Sequence, residues 1–414
     1  MPHEAPLLFA FAFSLIFALA AGLVAVRIGL PPIVGYLIAG IAIGPFTPGF
    51  VADSRIETQL ADIGVMLMMF GVGMHFSLEE LWAVRKIAIP GAILQVALAT
   101  ALGAGAAHLW GWQYSAGLVF GLALSIASTV VVFRALEERN SLKTHEGHIA
   151  AGWLVVEDLV TVIILVILPL IGSVPASHSV AQQATANGSN PLITVGITLG
   201  KAGAFILLML VAGIRFLPWL LDRVQRTGSR DLFTVAVAAI AVGVAYGSAE
   251  LFGVSFALGA FFAGVVIKES DHNGRAAEEM FPLQSVFTVL FFVSVGMLFD
   301  PAIIGTNPVE LVTVVAIIVI GKPIISFLLV VAMRYPLASA LTIAACLGQI
   351  GEFSFILGER AVSFGLLPPE AQSLIVVGAL VSITLNPLEF RAASVIEASR
   401  AAATLKRSAA ASLD

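Results

Sequence analysis

Two adjacent carboxylates, Glu157 and Asp158, interrupt an otherwise apolar stretch, GWLVVEDLVTVIILVILPLI at residues 152–171. Because successive helix positions differ by about 100°, one acid can line a cavity while the other flanks it. Two carboxylates this close in a low dielectric cannot both ionise cheaply, so at least one is expected to hold a proton near neutral pH. The pair predicts a proton carrier; a structural pair neutralised by a neighbouring helix is the alternative.

Lys322 is a candidate counter-charge in another apolar stretch, IIVIGKPIISFLLV at residues 317–330. Pro323 follows it and removes a backbone hydrogen-bond donor, which disturbs the local helix. A buried lysine either pairs with an acid or loses its proton. We therefore predict that Lys322 pairs with Asp158, with a purely structural lysine as the alternative.

A third acid lies in the polar stretch LGQIGEFSF at residues 347–355, inside a segment that should otherwise be apolar. Its two glycines, Gly348 and Gly351, flank Gln349 and precede the acid, Glu352. This pattern predicts an unwound segment of a discontinuous helix, whose freed backbone groups and polar side chains face a cavity.

A second polar stretch, LSIASTVVV at residues 124–132, carries Ser125, Ser128 and Thr129. Their hydroxyls could satisfy freed backbone groups or offer oxygen ligands to a cation. Ordinary bonding of each hydroxyl to its own helix is the alternative. We predict that Ser128 and Thr129 join the two acids at residues 157 and 158 in binding a cation.

The elements that must position these residues are membrane helices. The chain is 59% hydrophobic and 11% charged, whereas soluble domains have about 25% charged residues. This composition predicts an all-α polytopic membrane protein with about 13 transmembrane helices, because helices satisfy their backbone groups internally in lipid. The predicted spans are residues 7–26, 31–46, 56–76, 87–109, 115–136, 148–171, 192–218, 231–248, 251–268, 281–299, 309–333, 337–358 and 370–393.

The direction of the spans follows from the loops. Nearly all Lys and Arg residues outside the spans fall in one set of loops, which predicts an external N-terminus and a cytoplasmic C-terminus in a bacterial inner membrane. The two polar stretches then lie in spans five and twelve, which run in opposite directions. An interrupted helix in each half of the chain favours an inverted-repeat transporter, with the two discontinuous helices crossing at the membrane midplane.

Other residues are given no place at this site. Asp62 can serve a cation funnel or, more simply, a cap or an interhelical contact, and Lys201 can snorkel to the interface or contact a helix. Cys346 is the one cysteine, so an internal disulfide and a Cys-based metal site are excluded. We expect no enzyme activity, no cofactor and no nucleic-acid partner, and the lack of a P-loop argues against ATP-driven pumping.

Seven motifs in this order resemble those of the monovalent cation:proton antiporter-2 family, and within it the glutathione-gated potassium efflux (Kef-type) branch. The resemblance covers essentially all the predicted spans. The motifs are LPPIVGYLIAGIAIGP (30–45), LADIGVMLMMFGVGMHF (60–76), ALSIASTVVVFRALEE (123–138), VVEDLV (155–160), FALGAFFAGVVIKES (256–270), LFFVSVGMLFDP (290–301) and GQIGEFSFIL (348–357).

The resemblance implies a sodium/proton-antiporter-like fold in a homodimer surrounded by lipid, within a single membrane transport domain over residues 1–414. It implies that Asp158 carries cation and proton, that Glu157 modulates charge coupling, and that Lys322 is the core lysine. Family members usually have Asp, Asn or Gln at position 157. The implied parts are scaffold and dimer spans at about 1–80 and 225–304, a linker helix at about 192–224, and an elevator-like mobile core at about 85–175 and 305–395.

Kef-type chains commonly continue into a cytoplasmic nucleotide-binding regulatory domain. Residues 397–414 are predicted to form a cytoplasmic tail, and no Gly-x-Gly-x-x-Gly motif follows a strand pattern. The chain is therefore expected to be either a transport module cut from a longer protein or an ungated member, with such a domain as a possible partner.

The predicted function is secondary active exchange of K⁺ or Na⁺ for protons by alternating access, with proton and cation competing for Asp158. A monovalent cation would bind at this carboxylate. When neither cation nor proton is bound, Lys322 would pair with the Asp158 carboxylate. An organic-anion symporter of the same fold and a ligand-gated K⁺ efflux channel-like protein are the alternatives. The choice between K⁺ and Na⁺, the number of protons per cation and the gating ligand stay open.

Overall fold

A computed structural model describes residues 6–47, 54–75, 78–142, 144–171 and 191–411. These residues form helices joined by turns, so the predicted all-α architecture is confirmed. The helices of the first half are α1 (Pro6–Arg27), α2 (Pro32–Ile43), α3 (Ser54–His75), α4 (Leu78–Leu109), α5 (Tyr114–Ser125), α6 (Thr129–Glu138) and α7 (His145–Ile171). Those that follow are α8 (Pro191–Leu208), α9 (Ile214–Gln225), α10 (Arg230–Phe252), α11 (Phe256–Lys268), α12 (Asn273–Met297), α13 (Ile303–Thr306), α14 (Pro308–Ala316), α15 (Lys322–Ala332), α16 (Leu337–Leu347), α17 (Glu352–Ser363) and α18 (Glu370–Ala411).

The chain divides into two compact units. Among the described residues, those up to 75 and those from 162 to 299 form the first unit, and those from 78 to 161 and from 300 to 411 form the second. In the first unit, α3 packs against α11 and α12, and α2 packs against α1 and α12. One cluster of its core consists of apolar side chains from α1, α2 and α12, namely Ala18, Ala39, Ile43, Val293 and Met297.

The core of the second unit is built around Trp153 of α7, which is fully buried. Helix α4 runs alongside α5, and α15 packs against both α4 and α16. The indole ring lies directly against the backbone of α4 at Gly91, where an added Cβ would overlap the ring carbons. Helix α4 can approach the indole because Gly91 has no side chain.

Two membrane segments of the second unit are interrupted where the sequence predicts it. Helix α5 ends at Ser125 and α6 begins at Thr129, while α16 ends at Leu347 and α17 begins at Glu352. The second pair is bent by 43° across its break. Each break falls on one of the two polar stretches, and both are therefore discontinuous helices.

Nine helices among the described residues are long and apolar enough to cross a membrane, or ten if α16 and α17 count as one span. Three shorter apolar helices lie at Pro32–Ile43, Gln59–Met74 and Phe256–Lys268. The count of thirteen spans therefore stays a prediction. The cytoplasmic tail predicted over residues 397–414 also stays a prediction; α18 continues as one helix to Ala411, and residues 412–414 lie outside the described residues.

Substitution of Gly91 by Ala tests the contact between α4 and the indole. The added Cβ overlaps a side chain that has no room to move, and overpacking of this kind costs about 1–3 kcal/mol. We expect a lower thermal unfolding midpoint of the detergent-purified protein. Gly105→Ala in the same helix is the matched control, because nothing lies within 4 Å of its added Cβ. Equal midpoints for the two variants would contradict the packing described.

Candidate cation and proton site

The break between α5 and α6 frees backbone carbonyls that have no helical partner. Two side chains from other helices bond to them. Gln95 Nε2 of α4 donates to Ser125 O at 3.1 Å, and Ser354 Oγ of α17 donates to Ile126 O at 3.3 Å. A buried carbonyl without a partner costs free energy, so these two side chains stabilise the unwound backbone.

The freed backbone amides of the same break donate to side chains that the sequence analysis predicted for the site. Ala127 N donates to Glu157 Oε2 at 3.0 Å, and Ser128 N donates to Gln349 Oε1 at 3.0 Å. The amide nitrogen of Gln349 donates in turn to Ser128 O at 3.3 Å and to Cys346 O at 3.2 Å. One glutamine side chain therefore bonds the backbone of both breaks.

The two breaks touch at Gly351 and Ser128. A Cβ on Gly351 would overlap Ser128 Cα and Cβ, so the close approach requires glycine. The Ser128 hydroxyl caps α6 by accepting from Val131 N at 3.2 Å, and it donates to Glu352 Oε2 at 2.9 Å. The N-terminus of α6 and the first acid of α17 are thereby held together.

Asp158 is buried next to these breaks. Its Oδ2 accepts a hydrogen bond from Thr129 Oγ1 at 2.9 Å, and the negative charges of Glu352 and Glu157 both act on it. The indole of Trp153 lies close enough to interact with the Glu157 carboxylate. Neither Trp153 Nε1 nor Glu157 Oε1 makes an ordinary hydrogen bond.

The three buried acids share a feature that matters for chemistry. Each has one oxygen bonded to the breaks and one buried oxygen without a hydrogen-bond partner, namely Glu157 Oε1, Asp158 Oδ1 and Glu352 Oε1. Such an oxygen can accept a proton or ligate a cation. Among the described residues, no group of three or more His, Cys, Asp or Glu side chains is arranged to hold a metal ion.

Lys322 is fully buried, but the structure does not show the predicted ion pair with Asp158. Its Nζ donates to Gln349 O at 2.8 Å, a carbonyl freed by the break between α16 and α17. The ammonium charge acts instead on Glu157 and on Glu389. The prediction failed because the freed carbonyl offers an acceptor that a single sequence does not reveal.

The helix that carries Lys322 is widened just before it. Residues Ile317–Gly321 form a π-helical turn between α14 and α15. Pro323 at the start of α15 has no N–H to donate, and such turns often occur at functional sites. Ser326 Oγ bonds back to Lys322 O at 2.8 Å.

The buried charges do not balance. In the part of the chain that the structure describes, the fully or almost fully buried charged side chains are Glu157, Asp158, Glu352 and Lys322. Three carboxylates face one ammonium, so full ionisation would leave an excess of two negative charges. Uncompensated buried charge is costly, so the arrangement suits a site where protons or a cation supply the missing positive charge.

Three other residues weighed from the sequence do not join the two acids at positions 157 and 158. The Ser125 hydroxyl donates to Leu122 O at 2.7 Å within its own helix, which is the alternative left open for it, and the Ser125 carbonyl faces Gln95. Asp62 on α3 and Lys201 on α8 belong to the first unit, and Lys201 is exposed.

Sequence reasoning missed three polar residues that the structure brings to the breaks: Gln95, Asn386 and Glu389. Asn386 Nδ2 donates to Ala345 O at 2.7 Å, near the end of α16. A polar residue within an apolar helix was the available signal, as in AILQVALA around Gln95. Such a residue is expected to face a partner within the protein.

The family described as "Sodium/hydrogen exchanger, transmembrane" matches residues 13–393, and the chain belongs to this family. It is similar to the "Putative cation/proton antiporter YbaL" of Escherichia coli strain K12, at 50% identity over 390 residues that cover 94% of this chain and 69% of the relative. It is also similar to "K(+) efflux antiporter 4" of Arabidopsis thaliana, at 31% identity over 365 residues that cover 88% of this chain and 60% of the relative. The predicted membership of the monovalent cation:proton antiporter-2 family, Kef-type, is confirmed, and these relatives are transporters.

Solved structures agree with this assignment at the level of the fold. The sodium proton antiporter MjNhaP1 of Methanocaldococcus jannaschii at pH 8 has a TM-score of 0.62 and 17% identity, covering 94% of this chain and 98% of that one. An electron-microscopy map of the same protein gives a TM-score of 0.60 at 15% identity. The chain is a multi-pass membrane protein with the predicted sodium/proton-antiporter-like fold.

Replacement of Gln349 by Leu tests its role between the breaks. The variant keeps a similar size but leaves Ser128 N, Ser128 O and Cys346 O without the bonds that the glutamine side chain supplies. A buried group left without its partner costs about 1–3 kcal/mol. We expect a clear fall in the thermal unfolding midpoint, whereas Gln113→Leu, at an exposed position before α5, should leave it unchanged. A Gln349→Leu midpoint equal to wild type would contradict this bonding scheme.

Proposed function

We propose that this chain exchanges K⁺ or Na⁺ for protons by alternating access, with Asp158 as the group that both ligands compete for. Three buried carboxylates against one buried lysine support this proposal, because such a site needs additional positive charge. Asp158 is the preferred carrier since its Oδ1 has no partner and its Oδ2 contacts a hydroxyl rather than a backbone amide. Its carboxylate can therefore exchange ligands without disturbing the backbone of the breaks.

A hard monovalent cation takes oxygen ligands. Asp158 supplies the charged oxygen, and the hydroxyls of Thr129 and Ser128 supply neutral ones from the start of α6. Glu352 and Gln349 hold the breaks in place around them. Binding of either a cation or a proton neutralises Asp158, so loading one expels the other.

Glu157 has a different part in this proposal. Its Oε2 accepts a hydrogen bond from Ala127 N, and the charge of Lys322 acts on it. Glu157 is therefore fixed to the unwound backbone between α5 and α6. We propose that Glu157 tunes the charge moved per cycle, and that Lys322 balances the acids through the electrostatic field rather than through a direct pair with Asp158.

We further propose that the second unit is the mobile core and that the first unit holds the scaffold and a homodimer interface. The division of the chain into two compact units supports this proposal, since all the site residues belong to the second. The cation exchange would take place across a bacterial inner membrane, with the N-terminus outside and the C-terminus in the cytoplasm. The ligand bound at Asp158 would shift the population between outward-facing and inward-facing states.

Asp158→Asn tests the carrier assignment. Asparagine keeps the size of the side chain but can neither bind a proton nor balance a cation. We expect exchange in proteoliposomes, measured as the dissipation of a pH gradient on addition of K⁺ or Na⁺, to fall to the level of protein-free vesicles. Asp271→Asn, at an exposed aspartate, is the matched control and should exchange like wild type. A cation-dependent response of Asp158→Asn equal to wild type would sink the assignment.

Glu157→Gln tests the tuning role in the same assay. Loss of a negative charge that acts on Asp158 makes proton binding there weaker. We expect exchange to remain measurable, with the pH of half-maximal proton competition lowered by about one unit, as is typical for removal of a nearby charge. Complete loss of exchange in a well-folded variant would show that Glu157 is a primary ligand instead.

A further inference from the structure

Glu389 on α18 is an acid that the exchange mechanism above does not use. Its Oε2 accepts from Asn386 Nδ2 at 3.1 Å, and its Oε1 is buried without a hydrogen-bond partner. The same asparagine donates to Ala345 O. The carboxylate is therefore fixed against the end of α16 and has one oxygen available for a proton.

Glu389 also lies at the break between α16 and α17. A Cβ on Gly348 would overlap its carboxylate, so the acid rests directly on the unwound backbone. The next residue along the chain, Gln349, accepts the hydrogen bond of Lys322 Nζ through its carbonyl oxygen at 2.8 Å. Glu389 and Lys322 thus contact adjacent residues of the same break, Gly348 and Gln349.

Lys322 is the charged group that acts on Glu389 from a neighbouring helix. Cys346 of α16 and Arg139 at the end of α6 are the other titratable groups nearby. Glu389 and Arg139 both act on the Cys346 thiol, and the Arg139 guanidinium lies 4.6 Å from the ring centroid of Phe390, the residue after Glu389. The helices packed against α18 also carry Glu310 on α14 and Glu352 on α17, and Glu352 is bonded to Ser128 rather than to Glu389. The ammonium of Lys322 acts in the same way on Glu157.

We propose that Glu389 is a second protonatable site of the transport core, which shares the charge of Lys322 with Glu157. When Glu157 is ionised, it balances the Lys322 ammonium and Glu389 holds a proton. When Glu157 is protonated, Glu389 is ionised and balances the ammonium instead. The proton on Glu389 comes from water and returns to water, and Lys322 keeps its own proton throughout. The buried ammonium is then never left without a negative partner, which would be costly.

This proposal rests on the proposed exchange function and gives Glu389 a positioning role, because it acts on the carrier through Lys322 and Glu157. Its first test is Glu389→Gln in proteoliposomes. Glutamine can still accept from Asn386 but cannot ionise, so protonation of Glu157 becomes less favourable. Glu157 then stays ionised, and its negative charge favours a proton on Asp158. We therefore expect the pH of half-maximal proton competition to rise by about one unit, the usual effect of one nearby charge. Glu389→Asp should restore part of the wild-type profile.

The matched control is Glu370→Gln, at an exposed position in the first turn of the same helix, and its profile should equal that of wild type. An unshifted profile for Glu389→Gln would overturn the proposal while leaving exchange by Asp158 intact. A lower unfolding midpoint without a profile shift would overturn it as well, because the role would then be structural. A change in apparent K⁺ or Na⁺ affinity at alkaline pH, where protons no longer compete, would mark Glu389 as a cation ligand and also contradict the proposal.

The second test is the double variant Glu157→Gln with Glu389→Gln. Each single variant leaves Lys322 one acidic partner, whereas the double variant leaves neither. We expect the unfolding midpoint of the double variant to fall by more than the sum of the two single effects, which is the signature of coupled residues. Additive effects would show that the two acids do not share the ammonium. Loss of exchange by the wild-type protein itself would instead refute the proposed function.

Discussion

The structure of the core depends on how two broken helices keep their backbone satisfied away from water. In lipid, irregular backbone is tolerated where the protein itself supplies the missing hydrogen bonds. Here Gln349 bonds both breaks, and Glu157 bonds the amide of Ala127. The polar side chains that make this possible are the same ones that form the proposed ion site. The cost of breaking the helices and the capacity to bind a cation therefore have one physical origin.

Charge is the second constraint on this site. The carboxylates at positions 157, 158 and 352 are buried with one ammonium, so the protein needs a proton or a cation to approach neutrality. Because Lys322 bonds to a backbone carbonyl rather than to Asp158, the proposed carrier carboxylate can accept ligands without first breaking an ion pair. The ammonium instead interacts electrostatically with Glu157 and Glu389. In the proposed mechanism, the group that binds ligands is therefore separate from the groups that set the charge.

The sequence predicted those features that depend on local composition. Interrupted helices follow from polar residues and glycines inside apolar runs, and the acids at 157, 158 and 352 stand out because ionisable residues at membrane depth are rare. Contacts between distant segments could not be predicted, because the pairing of Lys322 with Gln349 O, or of Gln95 with Ser125 O, depends on how helices pack. A single sequence shows that a polar residue needs a partner, but it does not show which one.

The central claim is that a cation and a proton compete for Asp158. Calorimetric titration of K⁺ or Na⁺ into the detergent-purified protein, in buffers of different ionisation enthalpy at one pH, tests it directly. If the cation displaces a proton, the observed binding enthalpy changes in proportion to the ionisation enthalpy of the buffer, and the dependence disappears at alkaline pH. Cation binding with the same enthalpy in every buffer, at a pH where exchange takes place, would contradict the account.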